Sequence, residues 1–184
     1  MPRKSLQGQL LIASAELRDP NFFHTVVLLV QHSADGALGL VLNRPSETAL
    51  QDVWSKVSST VCNSREVLHM GGPCPGPLVS LHTEASCGEV EVFPGVFFTA
   101  ASEKLEQLAA QEDGVRFFVG YAGWGSGQLE SEMKEGSWRT LPAKAEHIFQ
   151  PEGELWERAT RQAADAVLLA TLRIKHVPAD PRLN

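Results

Sequence analysis

The stretch GYAGWGSGQLESEM, residues 120–133, places four glycines in its first eight positions and follows them with amide and acidic side chains. Glycines just before a helix leave backbone N–H groups open, and such a corner is an anion site in principle. The markers of phosphate chemistry are missing, however. There is no GxxxxGK followed by Ser or Thr, and no GxGxxG in a strand-to-helix setting with a later ribose-binding acid. The glycines are therefore read as the sharp corner where a buried strand gives way to a helix, with Trp124 as an aromatic wall beside it. On that helix Leu129 and Met133 share a face and Glu130 and Lys134 form an i,i+4 pair, so Glu130 and Glu132 point apart and make a poor acid/base dyad.

A second glycine pair, Gly71 and Gly72 in HMGGPCPGP, is stiffened by Pro73. Set beside the Trp124 corner, the two loops would line one cleft and offer main-chain donors to a ligand. Asn43 is expected to cap a turn, and Arg44, with no acid close in sequence, is expected to be solvated in preference to gripping an anion. The candidate pocket is accordingly Asn43, Arg44, Gly71, Gly72, Pro73, His82, Trp124, Gln128 and Glu132. Histidines at 24, 32, 69, 82, 147 and 176 lack an HExxH pattern and spaced cysteine or carboxylate partners, so they are expected to be structural, and neither a metal nor a cofactor is assigned. No serine sits in a GxSxG elbow. Cys62, Cys74 and Cys87 are odd in number, widely spaced and outside any CxxC pair, which favours reduced thiols.

Short strands and helices must position these residues. Residues 10–15 and 25–31 are apolar runs, the second continuous enough for a strand buried on both faces. Between them DPNFF makes one helical turn, with Phe22 and Phe23 facing the core. Asp35 and Gly36 turn a hairpin into 37–42. Thr48 and Gln51 have capping-box spacing ahead of Leu50, Val53, Trp54 and Val57, so a helix is expected to start near Thr48. Strands follow at 67–70, at 78–82, around Val90 and Val92, and at 96–99. A further helix takes Ser102 as its N-cap and stops before Gly114. Residues 115–121 return as a strand, 138–141 form a short edge strand, and a last helix spans about 151–172 with Glu157 and Arg161 paired on its wet side.

At 184 residues, 43% hydrophobic and 21% charged, the chain has the make-up of one globular domain, with a core over about 8–172 and short flexible termini. Its net charge of −6 repels phosphate backbones, so direct nucleic-acid binding is disfavoured despite Arg3, Lys4 and the tail cluster Arg173, Lys175, His176 and Arg182. The first residues imitate a signal peptide, but the apolar run at 10–15 is too short, and no stretch approaches the roughly 20 apolar residues of a membrane span. A cytoplasmic location is expected. Hairpins outnumber βαβ units, which predicts an α+β fold with a mixed, mostly antiparallel sheet covered by helices.

The order GQLLIASAELRDPNFFHTVVLLVQH, GALGLVLNRP, GGP and GYAGWGSGQLESEM resembles the AlgH/YqgE family of bacterial proteins, over residues 8 to about 169. The resemblance implies a bifurcated sheet curled into a pseudo-barrel and flanked by helices, in a single-domain cytosolic protein. The family's name comes from an association with transcriptional regulation, and no catalytic residue carries across. The matching positions are Asp19, Pro20, His32, Gly36, Gly39, residues 43–45 and 71–73, His82 and residues 120–132, while Cys74 stands where an aliphatic residue is expected. The favoured function is a non-catalytic binding or regulatory protein with an unknown protein or small-molecule partner. The alternative is a hydrolase-like enzyme whose pocket joins His32, His82, Arg44 and Glu132.

Overall fold

The computed structural model describes residues 4–172, so Arg3 and the tail cluster from Arg173 to Arg182 lie outside the described residues. Strands β1 (Gln9–Ala13), β2 (Val26–Ser33) and β3 (Gly36–Val41) form an antiparallel meander. Successive side chains of a strand point to opposite faces, and here both faces are covered. Leu10, Ile12, Val26, Leu28, Val30, Leu40 and Leu42 enter one core, while Leu11, Ala13, Val27, Leu29 and Val41 enter another. A strand with apolar neighbours above and below has no position left for a polar residue, which is why TVVLLVQ reads as a continuous run.

The chain continues through β4 (Pro45–Ala49), α1 (Leu50–Val57), β5 (Val67–Met70), β6 (Cys74–His82), β7 (Val90–Phe93), β8 (Val96–Thr99) and α2 (Ser102–Ala109). It ends with β9 (Val115–Gly125), α3 (Gln128–Lys134), β10 (Trp138–Pro142), α4 (Ala145–Phe149) and α5 (Leu155–Thr171). The strands make one curled, mostly antiparallel sheet, a half-barrel in the order β10-β1-β2-β3-β9-β6-β8-β7, with β4 and β5 branching from it. The branch point is β9. One side of it pairs with β6; on the other side its first half lies parallel to β5 (His69 opposite Phe118) and its last residues run antiparallel to β3 (Ala37 opposite Trp124). Helices α4 and α5 close the first core with Ile148, Leu155, Ala159 and Ala163, and α1 and α2 close a third around Trp54, Leu105, Leu108 and Phe117.

Several local expectations are corrected. The first helix starts at Leu50, two residues after Thr48, because residues 45–49 are drawn into a strand against β5 (Pro45 opposite His69, Ala49 opposite Val67). The second begins at Ser102 itself; its free amides are met from a distance, with the Glu89 carboxylate accepting from Ala101 N–H at 3.0 Å. The last begins at Leu155, since Glu154 takes a left-handed φ of 60° that breaks the helix and leaves residues 150–154 as a loop. Phe22 packs in the second core, whereas Phe23 is exposed and stacks on the His24 ring. Finally, the glycine-rich stretch is not one corner. β9 runs straight through Gly123 to Gly125, and positive φ is confined to Gly120 and Gly127.

Candidate functional site

The two glycine stretches do meet, but backbone against backbone. Gly71 donates to the Val119 carbonyl and accepts from Val41 N–H, both at 2.8 Å, so it stitches β5 to β9 and β3. A Cβ at Gly71 would strike the Gly120 carbonyl, and one at Gly72 would strike the Tyr121 backbone. These glycines serve close main-chain approach. Gly72, Pro73 and Arg44 do line an open cavity of about 310 Å³ with Pro20, Val41 and Met70, although Arg44 already donates to the Phe23 carbonyl at 2.6 Å.

Other members of the predicted set lie apart from it. Asn43 accepts from Val26 N–H at 3.0 Å and donates to the His24 carbonyl at 2.9 Å, holding a turn. Trp124, Gln128 and Glu132 build a clip: the Glu132 carboxylate accepts from Trp138 Nε1 at 2.8 Å, Trp124 Nε1 at 3.0 Å and Gln128 Nε2 at 3.0 Å, while Gln128 Oε1 takes Gly125 N–H at 3.1 Å. His82 is buried at the end of β6, stacked on Phe97, with neither ring nitrogen in a hydrogen bond of normal geometry. Burial pushes its pKa down, against an upward pull from the Glu84 backbone. His32 accepts Leu6 N–H at 2.9 Å on Nδ1 and faces Glu130 at 3.2 Å on Nε2. His32, His82, Arg44 and Glu132 thus belong to four separate neighbourhoods.

A different group of residues converges. Arg116 lies on β9 among aromatic neighbours and is 3% exposed. Its Nε and Nη2 reach the two Glu66 oxygens at 3.2 and 3.4 Å. Its Nη1 lies 3.4 Å from Glu152 Oε2, within ion-pair distance yet outside hydrogen-bond geometry, so this buried donor is unmatched. Glu152 Oε1 stands 3.3 Å from His69 Nε2, and His69 Nδ1 is 3.2 Å from the Val67 carbonyl. The β5–β9 register produces this meeting: His69 faces Phe118, two residues beyond Arg116 and on the same face of β9. Burial, and then the Arg116 charge, push the His69 pKa down against the upward pull of Glu152 and Glu66. A cavity of about 300 Å³ opens on the cluster, lined by Glu66, Val67, His69, Arg116, Phe149, Pro151 and Glu152. Both nitrogens of His69 face protein acceptors, and the neutral ring can donate to only one of them at a time.

The architecture and the ordered motifs are those of a known family. The AlgH-like family model matches residues 10–167. The chain belongs to the AlgH-like family. A UPF0301 protein of Chlorobaculum tepidum is 43% identical over 165 residues, covering 84% of each chain. A UPF0301 protein of Streptomyces coelicolor is 35% identical over 98% of this chain and 96% of its own. The solution structure of the AlgH protein from Pseudomonas aeruginosa superposes with a TM-score of 0.72 at 28% identity, covering 98% of this chain and all of that one. DIP2367 from Corynebacterium diphtheriae shares the fold with a TM-score of 0.73 at 22% identity, over 88% of this chain and 89% of its own.

The Arg116 cluster was missed in the sequence, although one signal was available. An arginine inside the apolar strand VRFFVGY has to be buried, and a buried charge requires partners. Those partners lie 50 residues away at Glu66 and beyond α4 at Glu152, so strand pairing rather than spacing assembles them.

Proposed function

We propose that the protein is a cytoplasmic, non-catalytic regulatory domain that binds a small molecule in the Arg116 cavity and acts through a protein partner. The observation that carries this is the Nη1 group of Arg116, a buried cationic donor without a hydrogen-bond acceptor on a residue that lines a cavity. A buried polar group left unmatched loses on the order of 1–3 kcal/mol, and a ligand acceptor would restore it. The cavity lining holds no Ser, Thr or Cys nucleophile, which favours binding over catalysis. Glu152 lies in the loop between α4 and α5, so a ligand that draws on its carboxylate also acts on the entry to the last described helix. The net charge of −6 favours a protein partner over direct contact with DNA, and the regulatory role follows the association that the family's name carries.

A metabolite screen on the full chain tests the proposal, read by thermal shift and by the NMR signals of the His69 ring. The expected hit stabilises the protein, moves those signals and loses affinity in Glu152→Gln. A screen in which no compound moves the His69 signals would overturn the proposal. Turnover of a hit that needs His69 or Glu152 would replace its non-catalytic part.

A further inference from the structure

The cavity beside Arg116 combines an unmatched donor with an excess of negative charge. Arg116 brings one positive charge and Glu66 and Glu152 bring two negative ones, and both carboxylates are partly open to the cavity side, at 38% and 22% side-chain exposure against 4% for Arg116. A purely anionic ligand would satisfy Nη1 but add to the negative excess around it. A purely cationic ligand would sit well between the carboxylates but leave Nη1 buried and unmatched. An ammonium beside a carboxylate gives every one of these groups an opposite neighbour, and charge-assisted hydrogen bonds of this kind are about twice as strong as neutral ones. The remaining wall is apolar, from Val67, Phe149 and Pro151. The volume of about 300 Å³ suits a small metabolite.

We propose that this cavity binds a free α-amino acid with an apolar side chain, its carboxylate on Nη1 of Arg116, its ammonium between Glu66 and Glu152, and its side chain against Phe149 and Pro151. The assignment rests on the ligand-binding function proposed above and names its ligand class. In the bound state the ligand carboxylate takes the place that the Glu152 oxygen occupies at 3.4 Å.

Calorimetry and NMR on the full chain test it with L-leucine, N-acetyl-L-leucine, which lacks the cation, and 4-methylpentanoate, which lacks the amino group altogether. L-leucine should bind saturably and shift the His69 ring signals, with both analogues about tenfold weaker or worse. Glu152→Gln keeps the size of the side chain and should weaken L-leucine by about tenfold; Arg116→Gln should abolish binding, and if it fails to fold, Glu152→Gln carries the test alone. Equal binding of L-leucine and 4-methylpentanoate would overturn the proposal, as would wild-type affinity in Glu152→Gln. If amino acids are inert while another class of compound moves the His69 signals, the zwitterion assignment falls and the ligand-binding function stands; if nothing moves them, both fall.

Discussion

Two glutamates in this protein each hold a pair of cationic or ring donors, and they do so differently. Glu132 accepts from two indoles and an amide at 2.8 to 3.0 Å, and the indoles it holds belong to the packed second core. Glu152 stands 3.3 and 3.4 Å from His69 and Arg116, one of those contacts is not a hydrogen bond, and a cavity opens beside it. The first arrangement is saturated and serves packing. The second has a donor to spare, and the proposed ligand binding draws on that surplus. Side-chain type alone does not separate them, since both are carboxylates; distance and satisfaction do.

The comparison can be broken most sharply at Glu132. Replacing it with Ala strands two buried indole N–H groups, and equilibrium urea unfolding should record a loss of about 3 kcal/mol. Glu132→Gln, which keeps one acceptor oxygen, should lose about 1 kcal/mol. A loss for Glu132→Ala no greater than for an ordinary surface substitution would show that the clip is not structural.

Gly71→Ala perturbs the other region from beneath, because the added methyl meets the Gly120 carbonyl where β5 is pinned against β9. About 2 kcal/mol of destabilisation is expected, together with a changed environment for His69 two residues upstream. Circular dichroism melts and the His69 ring signals would record both.

Acid should loosen the molecule by a smaller amount. His69 and His82 both have folded-state pKa values pushed below the ordinary 6.5 by burial. The unfolded chain therefore binds protons first as pH falls through about 6.5, and stability drops from there down through the folded-state values. Urea midpoints should fall between about pH 7.5 and about pH 5.5, and His82→Leu, which removes two unpartnered ring nitrogens, should flatten that slope. An unchanged slope in His82→Leu would assign the effect elsewhere.

The smallest effect on stability is expected at Glu152. Its contacts are long and it is partly exposed, so Glu152→Gln should cost under about 1 kcal/mol. Because Glu152 pulls the His69 pKa upward, its neutral variant should lower that pKa further, measurable by NMR titration of the ring. A large loss of stability here would make the two glutamates alike and undo the contrast.

Much of the scaffold is legible in the sequence. The run at 25–31, the hairpin at Asp35 and Gly36, and the helix after residue 101 all announce themselves through periodicity and turn chemistry, which are local. What escaped depends on distant pairing. β4 forms because β5 offers it an edge, and the Glu89 carboxylate, twelve residues before Ala101, does the work assigned to Ser102. The cluster at Arg116 is the extreme case, with His69 and Glu152 separated by 83 residues. Glycines 71, 72 and 120 were visible as special, but sequence could not distinguish a main chain that bends from one that is closely approached.

The fork at β9 has a consequence for how the chain reaches its native state. That strand needs β3, β5 and β6 as neighbours, and its side chains enter all three cores: Phe118 and Tyr121 the first, Ala122 and Trp124 the second, Phe117 the third. No core can therefore dissolve and leave the others whole, so denaturation should be a single all-or-none transition, identical by tryptophan fluorescence and by backbone signal. Refolding must wait for sequence-distant segments to find one another, which places it among slow, topologically demanding folders.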